Sequence, residues 1–106
     1  MDNLHERITK DLKLSGLVVN RRHRLRSYPK CFVGSEVVKW IVNNYNLSQE
    51  EAITTGQAML QEGIFKCVNG DYNFEDQYLF YRFHVIIFQH FFFHLEIKFN
   101  KNNEII

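Results

Sequence analysis

The chain has 106 residues, a net charge of +1 and a hydrophobic fraction of 45%, which fits one folded domain and excludes a disordered or fibrous protein. The N-terminal segment lacks the apolar run of a signal peptide, and the most apolar stretch, residues 83–99, is interrupted by histidines and charges, so no transmembrane helix is expected. Cys31 and Cys67 lie far apart without metal-ligand spacing, which favours a reduced cytoplasmic protein without a bound metal.

The positive charges are concentrated in one part of the chain. No acid lies between Asp11 and Glu36, a stretch with six bases, whereas the chain from Glu36 onward has five bases and nine acids. The six bases are Lys13, Arg21, Arg22, Arg24, Arg26 and Lys30. A basic segment on an acidic body attracts anionic partners, which include lipid headgroups, acidic protein segments and nucleic acid.

The first two predicted elements are a helix and a hairpin. The apolar spacing predicts a helix over Asn3–Leu14 that ends at Ser15-Gly16. Residues 17–19 and 24–28 then favour β-strands, and residues 20–23 favour a turn. They predict a short hairpin, closed by Pro29, which we name the arm (residues 17–30). Its tip is predicted to carry Arg21, Arg22 and His23.

Two further helices are predicted after the arm. One covers Gly34–Tyr45, and the other covers Ser48–Glu62 and begins with a capping box of Ser48 and Glu51. Gly56 predicts the close approach of a neighbouring helix. The residues expected to be buried in these helices are Trp40, Ile41, Ile53 and Met59.

The last predicted element is a C-terminal β-hairpin. Residues 64–68 and 78–83 favour strands, and between them a turn is predicted at Asn69-Gly70-Asp71, followed by a longer polar connection. The whole order predicts an α+β fold: a winged-helix-like three-helix core, with the arm between helices 1 and 2 and the hairpin at the end. Residues 84–106 are predicted to be an aromatic-rich extension that is either strand-like or poorly ordered. Within it, Phe91, Phe93 and Leu95 are expected to be less exposed than His90 and His94.

One segment resembles a known family. Residues 21–41, RRHRLRSYPKCFVGSEVVKWI, closely resemble the signature of DEP domains, a family named in part after Dishevelled and pleckstrin. Residues 56–60, 63–64 and 79–83 match its later blocks in the expected order. The sequence is most similar to the DEP domains of Rac exchange factors and of the endosomal phosphoinositide kinase. The resemblance places the DEP domain at residues 1–83 and implies a three-helix core with a β-arm and a C-terminal hairpin.

The resemblance also implies a function. DEP domains belong to multidomain signalling proteins, such as regulators of G-protein signalling and exchange factors for small GTPases. They bring these proteins to membranes, through anionic lipids, or to receptor tails. The chain is therefore expected to be a non-catalytic, cytoplasmic module, peripheral at membranes and without a cofactor. It is expected to be monomeric, although self-association through the extension stays open. The residues expected to contact lipid or partner are Arg21, Arg22, His23, Arg24, Arg26 and Lys30.

Two alternatives remain open at this point. The arm is also consistent with a solvated hairpin whose arginines serve solubility alone. A nucleic-acid-binding winged helix is allowed by the fold, but the third helix carries Glu50, Glu51 and Glu62 without any Lys or Arg, so phosphate repulsion opposes its docking in a groove. No phosphate-binding loop, dinucleotide glycine pattern or nucleophile elbow occurs, and the sequence therefore predicts no enzyme.

Overall fold

A computed structural model describes residues 3–84, which form three helices and one antiparallel sheet. The elements are α1 Leu4–Leu14, β1 Val19–His23, β2 Arg26–Val33, α2 Gly34–Tyr45, α3 Gln49–Gln61, β3 Phe65–Cys67 and β4 Phe80–Phe83. This confirms the predicted α+β fold, with one hairpin between the first two helices and another after the third. The predictions for the extension beyond residue 84 lie outside the described residues.

The ends of α1 and α3 follow the local signals of the sequence. The Asn3 side chain accepts a hydrogen bond of 2.9 Å from the backbone N–H of Glu6 at the start of α1. At α3 the Ser48 hydroxyl accepts from the N–H of Glu51 at 3.0 Å, and the Glu51 carboxylate accepts from the N–H of Ser48 at 2.8 Å. These bonds confirm the predicted capping box, and they hold the pKa of the Glu51 carboxyl below its usual value.

The first turn of α2 is capped by a loop instead of a side chain. The backbone N–H groups of Gly34 and Ser35 donate to the carbonyls of Leu79 and Gln77, at 2.9 and 3.0 Å. A Cβ atom at Gly34 would lie 2.3 Å from the carbonyl oxygen of Glu75, so only glycine lets the loop approach this closely. The loop of residues 68–79 is therefore fixed against the start of α2.

The sheet has the strand order β1-β2-β4-β3. The inner end of β2 pairs with β4 through Phe32 and Tyr81, and β3 pairs with β4 through Phe65 and Phe83. The outer part of β2 pairs only with β1 among the described strands. The arm is thus an extension of the sheet that carries the core.

The main hydrophobic core lies between the helices and the inner end of the sheet. Its buried members are Ile8, Leu12, Phe32, Val37, Val38, Ile41, Ala52, Met59, Phe65, Phe74 and Tyr81. Ile41 and Met59 are buried, as predicted, but Trp40 and Ile53 are only partly buried against this core. Trp40 lies in the middle of α2, and its ring packs edge-on to that of Tyr45 at 5.6 Å between centroids. No helix of residues 3–84 is long and apolar enough to cross a membrane.

One prediction about a glycine was wrong. A Cβ atom at Gly56 would lie 2.2 Å from the ring of Phe74, so the neighbour that requires glycine is an aromatic ring of the 68–79 loop and not another helix. The chain bends at residues 69–71, and a long connection follows as predicted, because β3 ends at Cys67 and β4 begins only at Phe80. The intervening loop returns across α3 and brings Phe74 into the core.

Candidate functional site

The tip of the arm lies at Arg24 and Leu25. Both residues have positive φ angles, 53° and 66°, and they join β1 to β2 directly. Two consecutive left-handed residues match the twist of a β-hairpin. The prediction that Arg21, Arg22 and His23 form the tip is wrong, since all three lie on β1. The tip consists instead of Arg24 and Leu25, and Leu25 is 95% exposed.

The strand register separates the arm into two faces. Arg21 pairs with Tyr28 and His23 pairs with Arg26, whereas Arg22 pairs with Ser27. Paired residues share a face, and successive residues alternate between faces. The inner face therefore holds Arg21, His23 and Tyr28, all partly buried, and the outer face holds Arg22, which is exposed.

Arg21 connects the base of the arm to α2. Its guanidinium donates to the carbonyl of Leu17 at 2.8 Å, to the carbonyl of Cys31 at 3.1 Å and to the carboxylate of Glu36 at 3.1 Å. Its side chain is only 17% exposed. Because all three contacts are made within the domain, Arg21 is a structural residue of the arm and presents little charge to a partner.

The inner face of the arm packs on a small aromatic cluster. The His23 ring meets the rings of Tyr78 and Phe80 at centroid distances of 5.6 and 6.2 Å, and the Tyr28 ring meets that of Phe80 at 4.9 Å. Phe80 itself is buried with Cys31 and Val33 in a second core cluster. These contacts fix the arm on the body of the domain, so that its tip is held on a rigid support.

A β-bulge near Lys30 bends the arm. Val19 pairs with Cys31 and Arg21 with Tyr28, so β2 contains one more residue than β1 in this interval. Lys30 has a positive φ of 51°, and its N–H donates to the Asn20 side chain at 3.1 Å. The Arg82 guanidinium donates to the carbonyl of Pro29 at 2.9 Å. Arg82 was not among the predicted site residues because its partner is distant in sequence.

Cys31 is a poor candidate for a nucleophile, and residues 3–84 contain no group of side chains of the kind that holds a metal ion. Cys31 and Cys67 are free thiols, and burial raises the pKa of Cys31 although the Arg82 guanidinium lies 3.6 Å from its sulfur. A thiol that stays protonated is a poor nucleophile. Within this part of the chain, no three His, Cys, Asp or Glu side chains are grouped as a metal site requires.

The exposed side chains of the arm form a small surface that is both basic and apolar, which we name the tip surface. It consists of the exposed residues Arg22, Arg24, Leu25 and Arg26, at or beside the tip, and of the exposed Lys30 at the bulge. Of the six predicted contact residues, four therefore belong to this surface, while Arg21 and His23 are held by contacts within the domain. Leu25 was missed because it was assigned to a strand. The sequence did contain a signal for this contact residue, because Leu25 is the one apolar residue among the arginines of the arm.

A family model matches most of the described residues. Residues 17–83 match the model described as the domain found in Dishevelled, Egl-10 and Pleckstrin (DEP). The matched range begins before the arm and ends with β4, so it includes the tip surface and its support.

Curated relatives match the same region. The chain is 41% identical over 68 residues to the vacuolar membrane-associated protein IML1 of Saccharomyces cerevisiae, with 62% of this chain and 4% of the relative covered. It is 38% identical over 72 residues to the phosphatidylinositol 3,4,5-trisphosphate-dependent Rac exchanger 1 protein of Mus musculus, with 67% of this chain and 4% of the relative covered. The chain thus spans a small part of the length of these relatives.

Solved structures show the same fold. The solution structure of the DEP domain of mouse pleckstrin matches with a TM-score of 0.64 and 21% sequence identity, covering 78% of this chain and 90% of that one. A solution structure of the human pleckstrin DEP domain matches with a TM-score of 0.60 and 23% identity, covering 78% and 76% of the two chains. At this level of identity the likeness concerns the fold alone.

Proposed function

The chain belongs to the DEP domain family, and from this premise we propose that it attaches a signalling protein to anionic membranes through the tip surface of its arm. The DEP domain is a non-catalytic module of signalling proteins. The proposal concerns what this module binds and which residues make the contact.

The observation that carries the proposal is the exposed Leu25 between Arg24 and Arg26, at the end of a hairpin that packs on the rings of Tyr78 and Phe80. Each arginine near an anionic membrane contributes about 1 kcal/mol, and burial of one leucine side chain contributes about 1.5–3 kcal/mol. An apolar tip with flanking cations suits the boundary between headgroups and acyl chains. These magnitudes give weak and reversible attachment, which a second membrane signal elsewhere in a larger protein would strengthen.

The names of the relatives support a membrane setting. One is called vacuolar membrane-associated, another phosphatidylinositol 3,4,5-trisphosphate-dependent, and a third, 38% identical over 65 residues in Homo sapiens, is called 1-phosphatidylinositol 3-phosphate 5-kinase. Each name describes a protein that acts with membranes or their lipids. A shared domain with a basic arm is consistent with peripheral attachment of the present chain.

Nucleic-acid binding has weaker support. The exposed Glu50, Glu51 and Glu62 lie at the two ends of α3, and α3 contains no base. A recognition helix of this charge would be repelled by phosphates. The tip surface alone is too small for the phosphate contacts that such binding requires.

Vesicle sedimentation tests the proposal. The chain should bind vesicles of phosphatidylcholine with one quarter phosphatidylserine, and binding should weaken as salt is raised, because exposed charges are screened over about 8 Å at physiological ionic strength. Reversal of two tip charges, Arg22→Glu with Arg24→Glu, should weaken binding by at least about tenfold. Leu25→Ser should weaken binding by a factor that does not depend on salt, since its contribution is apolar.

Matched variants control for net charge and for folding. Lys39→Glu with Lys66→Glu makes the same change in net charge at exposed positions of α2 and of β3, the edge strand opposite the arm. Leu14→Ser removes another exposed leucine, which is 86% exposed at the end of α1. Both controls should bind like the parent. Equal loss in the tip and control variants would refute a specific contact, and absence of vesicle binding together with arm-dependent binding of a receptor-tail peptide would replace the lipid by a protein partner.

A further inference from the structure

Tyr78 is an exposed tyrosine that lies beside the arm. Its side chain is 60% exposed, and its ring contacts the rings of His23 and Phe80 at centroid distances of 5.6 and 5.1 Å. The neighbouring carbonyls of Gln77 and Leu79 accept hydrogen bonds from the first turn of α2. The loop is therefore fixed at this point, and Tyr78 is held next to β1 with much of its side chain open to solvent.

The surroundings of Tyr78 carry charges of both signs. Glu75 and Asp76 precede it in the loop. On the arm, His23 touches its ring, and Arg26 pairs with His23 across the hairpin on the same face. The acids suit recognition by an enzyme with a basic substrate cleft, while the arm supplies cations for a negative group placed on the tyrosine.

We propose that Tyr78 is a phosphorylation site for a tyrosine kinase and that its phosphate releases the arm from anionic membranes. In the modification, the hydroxyl oxygen of Tyr78 forms a bond to the γ-phosphorus of ATP. The bond between that phosphorus and the bridging oxygen of ADP breaks, ADP leaves with the electron pair, and the phenolic proton passes to the catalytic base of the kinase. The release of the arm rests on the proposed function, whereas the modification itself does not.

The charge change is large compared with that of the tip surface. A phosphotyrosine carries a charge of about −1.5 to −2 at neutral pH and has strong acceptor oxygens. At Tyr78 it would pair with His23 and Arg26 and would repel an anionic membrane that approaches the tip. The tip surface has four exposed cations, so the phosphate offsets about half of its positive charge. We therefore expect vesicle binding to weaken by about tenfold.

The first experiment tests the modification. A purified tyrosine kinase domain that phosphorylates the peptide of residues 73–80 is applied with Mg-ATP to the full chain, and the products are mapped by mass spectrometry. Tyr78 should be phosphorylated in the folded chain. Tyr72, which is 51% exposed in the same loop, is the internal comparison. Phosphorylation of the peptide but not of Tyr78 in the folded chain would overturn the proposal.

The second experiment tests the effect on the arm. Two forms are compared: the Tyr72→Phe chain phosphorylated at Tyr78, and the Tyr78→Phe chain phosphorylated by the same route at Tyr72. Vesicle binding should fall by about tenfold in the first and by less than about twofold in the second, with unchanged melting of both. Equal effects at the two sites would overturn a switch that acts through the arm.

A third measurement does not depend on membranes. In a ³¹P NMR titration, the phosphate on Tyr78 should lose its second proton at a lower pH in the parent than in the His23→Ala, Arg26→Ala chain, because the side chains of the arm stabilise the dianion. Glu75 and Asp76 act in the opposite direction, but they are common to both chains and cancel in the difference. If the unmodified parent does not bind vesicles, the proposed function and the proposed release of the arm are both refuted. A phosphate pKa unaffected by the arm variants overturns the contact itself.

Discussion

Arg21 and Arg22 are neighbours with the same charge, yet the structure gives them different roles. Arg21 donates three hydrogen bonds within the domain, and its side chain is 17% exposed, whereas the Arg22 side chain is exposed on the outer face of the arm. Truncation of Arg21 leaves the carbonyls of Leu17 and Cys31 without this donor. Truncation of Arg22 removes no such contact.

We therefore predict that alanine variants of these two residues differ in their free energy of unfolding. Arg21→Ala should lower the free energy of unfolding by about 1–3 kcal/mol, because two carbonyls and the Glu36 carboxylate lose a charged donor. Arg22→Ala should change it by less than about 0.5 kcal/mol. Urea denaturation measures both. Arg21→Lys should recover only part of the loss, since lysine lacks the planar fork of donors. Equal stability of the Arg21→Ala and parent chains would contradict the structural role.

The sequence showed the charge of the arm but could not distinguish these two residues. Six bases without an intervening acid are visible in the chain from residue 12 to residue 35. The face that each one occupies depends on the register of β1 against β2, and a shift of one residue exchanges the faces. Arg21 also needs Glu36, fifteen positions away, as its partner. Local patterns contain neither piece of information.

At the level of elements, the helices were predicted well and the turn of the arm was not. The capping residues Asn3 and Ser48 act within their own helices, so that local sequence suffices to locate the start of α1 and α3. The turn of the arm falls instead on Arg24 and Leu25, neither of which favours a positive φ. Asn20, which does favour turns, has its side chain bonded to the bulge at Lys30. The strand pairing has overridden the local preference.

The unfavourable turn leads to a prediction about the hairpin. A non-glycine residue in the left-handed region costs about 1–2 kcal/mol, and Asn-Gly is the preferred pair at such a turn. Arg24→Asn with Leu25→Gly should therefore raise the free energy of unfolding by about 1–2 kcal/mol, measured by urea denaturation. The same variant should lose vesicle binding, because it removes one cation and the apolar tip. A more stable protein that still binds as the parent does would show that the tip residues are not the contact.

For the molecule as a whole, Tyr81 joins the sheet to the loop that caps α2. Its ring is buried in the main core, and its hydroxyl donates to the carbonyl of Asn73 at 2.6 Å while accepting from the N–H of Glu75 at 3.1 Å. The same loop supplies Phe74 to the surface of α3 and carbonyls to the start of α2. One phenol thus connects the parts of the fold that the sequence could not place, since the 68–79 loop carries no regular periodicity.

This arrangement predicts how stability depends on alkaline pH. Burial raises the pKa of Tyr81 to about 12, above the value of about 10 for an unfolded tyrosine. The folded state therefore holds the phenolic proton where the unfolded state has lost it, and stability falls as pH rises from about 10 to about 12. Lys13, whose pKa burial lowers to about 8, acts in the opposite direction between about 8 and its ordinary value. A simple pH profile of the parent chain would mix the two effects.

A difference measurement separates them. Tyr81→Phe keeps the ring but removes the hydroxyl and its two hydrogen bonds, so it should be less stable than the parent by about 1–2 kcal/mol between pH 7 and 9. Lys13 is common to both chains and cancels. The advantage of the parent should then shrink steadily above pH 10, when urea denaturation is repeated at constant ionic strength. A difference that stays constant up to pH 11 would mean that the phenol of Tyr81 ionises at the same pH in the folded and unfolded chains, which would contradict the raised pKa.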